Sequence, residues 1–405
     1  MIGDTMLAPG ETRYQEQVRH FLARNLDPTL VECMDRNEVT YPKDFIRLMA
    51  SQRYLGACIP SEYNGGGRSI LEDALVNEEV GFFGSAALAC ARTFTSHVGW
   101  ILYRYGSGHI KEGYLKPMLA GEKITAQAMT EPTAGSDLAA VRTTARRSGD
   151  RYIVRGEKRF IDGALDADFM AVAVRSGNSD DPRRSLSVLL VDTKSPGYLV
   201  KEVHGNWHGF RGLGSAWIVF DDVEVPLDNL LGEENEGWRY LMEELQVERV
   251  VATRAQLGQA RRALQIAANY AGQRTAFGKK LREHQHIAFK IAEMATKLDA
   301  AALLDTRAAR LLDAGRFQEA RMEVAMAKWF GAQYAWEVAD DALQILGGIG
   351  YTQKYPVERI LRDVRAARLT AGSSEMMALI IQRRAFEKLH DPNFPAERVG
   401  AELDR

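Results

Sequence analysis

A change of hydrophobic period along the chain constrains the fold most. Residues 11 to about 120 carry apolar side chains at helical spacing, as in Val18, Phe21 and Leu22, and again in Phe45, Leu48 and Met49. From about 123 to 232 the pattern changes. Tyr152 and Val154 alternate with charged residues and lead into Phe160. Short β-branched and aromatic runs follow at 169–174, 187–191 and 217–225, separated by Gly, Pro, Asn and Asp. After Gly237 the helical period returns. Ile287, Ile291, Met294, Leu298 and Ala301 recur at steps of four and three, and further helices are expected around 320–346 and 357–389. Pro60 and Gly65 to Gly67 mark a loop in the first region. The expected class is α+β: an N-terminal helical unit over 1–122, a middle β-domain of sandwich or small-barrel type over 123–232, and a C-terminal helical bundle over 233–405.

Composition narrows the functional classes. A net charge of -2 gives no electrostatic case for nucleic acid or an anionic membrane. No run supplies the roughly 20 apolar residues of a spanning helix, and the first residues, MIGDTMLAPG, do not resemble a secretory signal. The three cysteines, Cys33, Cys58 and Cys90, have no metal-ligand spacing and are expected as buried free thiols, so a cytoplasmic location and no metal are expected.

The stretch Ala128 to Asp137, AMTEPTAGSD, concentrates small, hydroxyl and glycine residues, placed here just after a helical segment. Such backbone can approach a flat or phosphorylated ligand, with Thr130 and Ser136 as hydroxyl donors; composition alone reads equally as a polar loop. The order T-E-P-x-A-G-S-D resembles the signature of the acyl-CoA dehydrogenase family, whose helix–β–helix domain order is also the one read above. Four further stretches match that family in order: KRFIDGALDAD (158–168), RTAFG (274–278) followed by His284 and Gln285, QILGGIGY (344–351) and GSSE (372–375). The likeness covers nearly the whole chain, from about residue 11 to His390.

The resemblance implies non-covalent FAD between the β-domain and the bundle. Gln127, Met129, Thr130, Ser136, Phe160 and Ile161 are the expected flavin contacts of the middle domain, with Phe160 packing on the isoalloxazine; an isolated Phe in a strand is otherwise a core residue. Asp162 departs from the family's usual hydroxyl residue near flavin N5 and is expected to be turned away, protonated, or a tuner of the redox potential. Arg274, Phe277, His284, Gln285, Gln344, Gly347 and Gly348 are expected to reach FAD in a neighbouring subunit, which implies a homotetramer. Ser373 and Glu375 complete the set. No G-x-G-x-x-G follows a strand, so a Rossmann site is not expected.

The resemblance also implies α-proton abstraction and β-hydride transfer to flavin N5. Most members place the base as Glu immediately before G-T in the last motif; here that position is Ala371. Glu248, in QVERVV at the start of the first long C-terminal helix, stands where the isovaleryl-CoA and long-chain branches carry their base, and those branches also lack the other carboxylate. Without that coupling, Glu248 reads as a first-turn helix acid favoured by the macrodipole. Arg249, Ser136, Ala371 and Gly372 are the expected substrate contacts, with the Ala371 N–H as an enolate donor. Acyl-CoA or an acyl-carrier protein is the expected substrate and an electron-transfer flavoprotein the expected electron acceptor. An enoyl-CoA reductase of the crotonobetainyl-CoA type, a carrier-protein dehydrogenase and a flavin monooxygenase on the same fold are the rival activities.

Overall fold

The computed structural model describes residues 7–390; the remaining residues of the first and last expected units lie outside the described residues. The first region forms α1 Pro9–Asn25, α2 Leu30–Asp35, α3 Lys43–Ser51, α4 Ile70–Phe83, α5 Ala86–Tyr105 and the short α6 Gly108–Ile110 and α7 Lys116–Leu119. The entry to α4 has a local cause. The Ser69 hydroxyl accepts from the Glu72 N–H at 3.0 Å while the Glu72 carboxylate accepts from the Ser69 N–H at 3.1 Å, a reciprocal cap for two unpaired donors.

The middle region holds β1 Thr125–Ala128, β2 Thr144–Ser148, β3 Arg151–Ile161, β4 Phe169–Arg175, β5 Leu186–Asp192, β6 Tyr198–Val203 and β7 Ala216–Pro226. These strands make one curled seven-stranded sheet in the order β1-β4-β2-β3-β7-β6, with β5 on β4, rather than a two-sheet sandwich. Helices supply the second layer. Alternate residues of β4 enter two different cores: Phe169, Ala171 and Ala173 pack with the helices, while Met170, Val172 and Val174 pack inside the curl of the sheet. The motif 128–137 accordingly follows strand β1, not a helix. β1, β2 and β6 were not among the strands expected from the sequence. β1 is four residues long, and β2 and β6 are mostly exposed, which leaves too little alternation to read.

The last region forms α8 Gly237–Gln273, a small hairpin of β8 Thr275–Ala276 and β9 Lys279–Lys280, then α9 Gln285–Asp313, α10 Phe317–Leu346, α11 Val357–Arg365 and α12 Ser374–Leu389. The helical stretch expected over 357–389 is therefore two helices. Between them Ala371 and Gly372 take left-handed φ of 53° and 89°, which no helix tolerates. Of the three free cysteines only Cys58 is buried; Cys33 and Cys90 are half-buried, which corrects the expectation of three buried thiols.

Helix α8 joins the domains. A Cβ on Gly81 of α4 would lie 2.1 Å from the Ala255 carbonyl oxygen, and one on Gly258 of α8 would lie 2.0 Å from that of Glu78. Two glycines thus let the helix backbones touch. Around this contact Arg254 pairs with Glu78 at 2.9 Å and Asp305 at 2.7 Å, and Arg261 pairs with Glu78 at 2.7 Å and Glu79 at 2.8 Å. The register of α8 against α4 is fixed by contacts that cannot slide. Gly258→Ala should lower the apparent Tm, because the overpacking penalty of about 1–3 kcal/mol exceeds the helix-propensity gain of about 1 kcal/mol. A rise in Tm would show that the two backbones are not in contact.

Candidate active site

The loop after β1 is pinned before it can meet any ligand. Glu131, the acid of the TEP motif, is buried and accepts from the Arg142 N–H at 2.7 Å, the Thr143 N–H at 2.9 Å and the Lys158 ammonium at 2.9 Å. Lys158 also donates to the Met129 carbonyl at 2.9 Å, and the Thr130 carbonyl accepts from the Arg159 N–H at 2.9 Å. Burial pushes Lys158 down to about 8 against the pull of Glu131. The motif's acid and β3's lysine form a buckle holding Met129 and Thr130 beside the end of β3. Ser136 lies further along the loop and is exposed.

At that end β3 bulges against β7 between Lys158 and Ile161. The bulge contains Phe160, with φ 62°, and turns its ring outward to 48% exposure. Phe160 is therefore not the core residue that a strand Phe usually is. Its neighbours are His204 and Trp207, at ring distances of 5.2 and 5.7 Å, and the Arg159 guanidinium over its face. His204 Nε2, Trp207 Nε1 and Arg159 Nε are shut from solvent without a partner, three orphaned polar atoms around one exposed ring.

A second surface gathers the RTAFG and QILGG segments. Arg274 and Gly348, with Tyr270, Leu281 and Leu346, line an open cleft of about 510 Å³. Gln344, Gly347 and Gln285 are exposed, and a Cβ on Gly347 or Gly348 would meet no atom within 4 Å. Phe277 and Gly278 form the two-residue β8–β9 turn with φ of 50° and 78°; Phe277 is 97% exposed, and His284 Nε2 donates to the Ala276 carbonyl at 3.1 Å, so it acts on that hairpin. A bulky residue at positive φ with its ring in solvent is costly twice over. Nine non-glycine residues among those described have positive φ, and three of them are Phe160, Phe277 and Ala371. Strain of this kind concentrates where structure serves a ligand.

The third group surrounds Glu248. The residue lies in the interior of α8, eleven positions after its start at Gly237, which removes the first-turn, macrodipole explanation. The neighbouring Arg249 Nε donates to the Ala371 carbonyl at 2.9 Å, and Lys328 of α10 donates to the Gly372 carbonyl at 2.5 Å. The two cations hold the left-handed turn and also act on the Glu248 carboxyl, which links Arg249, Ala371 and Gly372 directly and Glu248 through those cations. Ser373 caps α12, accepting from the Met376 N–H at 3.4 Å, and Glu375 is exposed on its first turn. Glu248 Oε2 is closed to solvent and has no hydrogen-bond partner. Burial pushes its carboxyl up, helped by Glu244 and opposed by His97, Arg249 and Lys328; the net direction is upward. Lys328 is pushed down to about 8 by burial and by Arg249.

Sequence reading did not single out His97, Glu244 or Lys328. Glu244 is buried, bonded to His97 Nδ1 and to the Gln127 amide, so the side chain of Gln127 is committed to α8. The Glu244–Glu248 spacing of one helical turn was visible in MEELQVERVV, whereas nothing near His97 in the chain marks it as the partner.

Asp162 is not turned away to solvent. Ser215 donates to its Oδ1, and Cys90 Sγ lies 4.0 Å from Oδ2. Burial raises its carboxyl to about 6 despite the Ser215 hydrogen bond. A carboxyl whose folded value exceeds its unfolded value of 3.8 favours the fold while protonated and loses that contribution as pH rises from about 4 to about 6. Asp162→Asn should therefore gain thermal stability relative to the parent across that window and hold the gain above it. A Tm difference independent of pH between about 4 and 8 would contradict this.

Residues 9–122, 126–223 and 235–386 match the N-terminal, middle and C-terminal domains of acyl-CoA dehydrogenase. The chain is 36% identical over 363 residues to a 3-(aryl)acrylate reductase of Clostridium sporogenes, covering 90% of this chain and 95% of that one. It is 34% identical over 372 residues to the CarC subunit of a caffeyl-CoA reductase–Etf complex of Acetobacterium woodii, covering 91% and 96%. The solved butyryl-CoA dehydrogenase of Megasphaera elsdenii superposes with a TM-score of 0.88 at 29% identity, over 95% of this chain and all of that one. With all three domains matched over most of the chain, the chain belongs to the acyl-CoA dehydrogenase family of FAD-dependent oxidoreductases that act on the CH–CH bond of acyl thioesters.

Proposed function

We propose that Glu248 is the base that removes the α-proton of an acyl-CoA thioester. The observation that carries this is the contact of α8 with the Ala371–Gly372 turn. Ala371 offers no proton acceptor, and Glu248 is the carboxylate that acts on both of that turn's cationic anchors. A carboxylate with one oxygen shut from solvent and a raised proton affinity is better matched to a weakly acidic C–H than one fully in water. Arg249 and Lys328 supply positive charge beside it, and both hold the turn whose Ala371 N–H would meet the thioester oxygen as charge develops there.

The residues fit FAD. The exposed Phe160 ring, the orphaned polar atoms of His204, Trp207 and Arg159, and the open backbone at Gly347 and Gly348 are unfinished without a flat, phosphate-bearing ligand. Met129, Thr130, Ser136, Phe160, Ile161 and Asp162 would hold the flavin end; Arg274, Phe277, His284, Gln285, Gln344, Gly347, Gly348, Ser373 and Glu375 would complete the site. When bound, FAD supplies the two-electron acceptor. The solvent-exposed Phe277 turn supports a second subunit there, and the assembly is proposed as a homotetramer. Because one relative is a subunit of an Etf complex, an electron-transfer flavoprotein is the proposed redox partner. The free cysteines support a cytoplasmic location; no helix among the described residues is long and apolar enough to cross a membrane.

The reverse reaction, reduction of an enoyl thioester, uses the same groups, with Glu248 returning the proton. Two relatives named as reductases favour keeping it as the second reading. The purified protein should carry one FAD per chain, sediment as a tetramer, and be bleached anaerobically by at least one member of a panel of butyryl-, isobutyryl-, cyclohexanecarbonyl- and 3-phenylpropionyl-CoA. Glu248→Gln should retain FAD and slow bleaching by roughly two to four orders of magnitude. A monomer that holds FAD tightly would remove the shared site, and bleaching of Glu248→Gln within a few-fold of the parent would remove the base.

A further inference from the structure

The buried polar cluster behind Glu248 is larger than proton abstraction needs. Glu244 lies one turn before Glu248 on α8 and is wholly buried; His97 comes from α5 and is 1% exposed. One ligand atom each of His97, Glu244 and Glu248 lie within 4.8 Å of one another. Glu244 is tied on both oxygens, to His97 Nδ1 and to the Gln127 amide from β1, whereas Glu248 Oε2 is untied. Two carboxylates this close in a site closed to water repel unless a cation lies between or beside them.

We propose that His97 and Glu244 are positioning residues for Glu248: Glu244 holds a cationic imidazole beside the base, and that charge offsets Glu244's own repulsion, so that Glu248 can stand ionised with its enclosed oxygen unpartnered. The proposal rests on Glu248 being the base. The other groups facing Glu248 are Arg249 on α8 itself, Lys328 on α10 and Cys90 on α5; Asp162 reaches the region through Cys90, and Glu375 acts on Lys328. Arg249 and Lys328 are committed to the carbonyls of Ala371 and Gly372, so neither is free to take the place of His97. Burial weighs against a charged His97, but the charge and hydrogen bond of Glu244, with Glu248 behind it, outweigh burial and raise the proton affinity of the ring. The His97 rotamer is also held by Phe94, 5.5 Å away between ring centroids.

The mechanism consequence is a division of labour. Glu248 exchanges a proton with the thioester α-carbon, while the Glu244–His97 pair keeps its own proton and touches neither substrate nor cofactor. Replacing His97 with a neutral donor leaves two carboxylates facing each other, and one of them then takes up a proton at a higher pH. Replacing both partners removes attraction and repulsion together.

The test is the pH profile of anaerobic flavin reduction by the thioester of the panel that reduces the parent fastest, alongside FAD content and the visible spectrum of the bound flavin without thioester. His97→Gln should move the acid limb upward by about one pH unit, a roughly tenfold loss below the limb that recovers above it. The double variant H97Q/E244Q should bring the limb back toward its parent position. If His97→Gln does not accumulate with FAD bound, His97→Asn is read in its place. A loss by the same factor at every pH, or an upward shift that persists in the double variant, would overturn the proposal. Glu248→Gln separates the two readings. Near-parent reduction in that variant rejects the base itself, while a slow Glu248→Gln together with an unshifted His97→Gln rejects only the positioning role.

Discussion

The backbone contact between α4 and α8 at Gly81 and Gly258 is the constraint from which the site follows. With a Cβ at either position the helices could not approach as closely, and every residue of α8 would sit further from the N-terminal domain. Close approach brings Glu244 against His97 of α5 and Gln127 of β1, and lets Arg254 and Arg261 reach the acids of α4. One rigid helix thus carries the proposed base, its charged neighbours and the ionic network that locks it. Ion pairs so deeply buried are weak arguments for net stability, but breaking one leaves a charge without a partner, which opposes sliding of α8.

The opposite wall is a strained turn rather than a helix. Ala371 at φ 53° would relax into the helical stretch on either side were it not held by Arg249 and Lys328 through the carbonyls of residues 371 and 372. The cost of a left-handed non-glycine residue is on the order of 1–3 kcal/mol. Two charge-assisted hydrogen bonds, from the half-buried Arg249 and the buried Lys328, are of the right size to offset it. The same cations lie beside Glu248, so the groups that bend the backbone also supply positive potential where negative charge would develop.

Much of this could be read from the chain before any coordinates. The three-part change of period separates helical, β and helical regions, and Arg249, next to Glu248 in the chain, is bonded to Ala371. What escaped the sequence is equally specific. A single curled sheet backed by helices alternates like a sandwich strand by strand, so β4 gave no sign that its two faces enter different cores. The break at Ala371 is a backbone event that side-chain periodicity over 357–389 does not record. Glu131 sits in the motif as though facing a ligand, yet its oxygens are spent on Lys158 and two backbone N–H groups. His97 meets Glu244 across 147 residues of sequence, a separation at which local pattern carries no information.

Exchange at the substrate α-carbon tests the central claim without depending on the direction of the overall reaction or on the electron acceptor. The FAD-bound protein is held anaerobically in deuterated water with an excess of an acyl-CoA, and deuterium at the α-carbon of the recovered thioester is counted by mass spectrometry. Glu248 as the base predicts steady incorporation with the parent and a loss of at least about a hundredfold with Glu248→Gln. Incorporation by Glu248→Gln at a rate within a few-fold of the parent would place the base on another group and contradict the account.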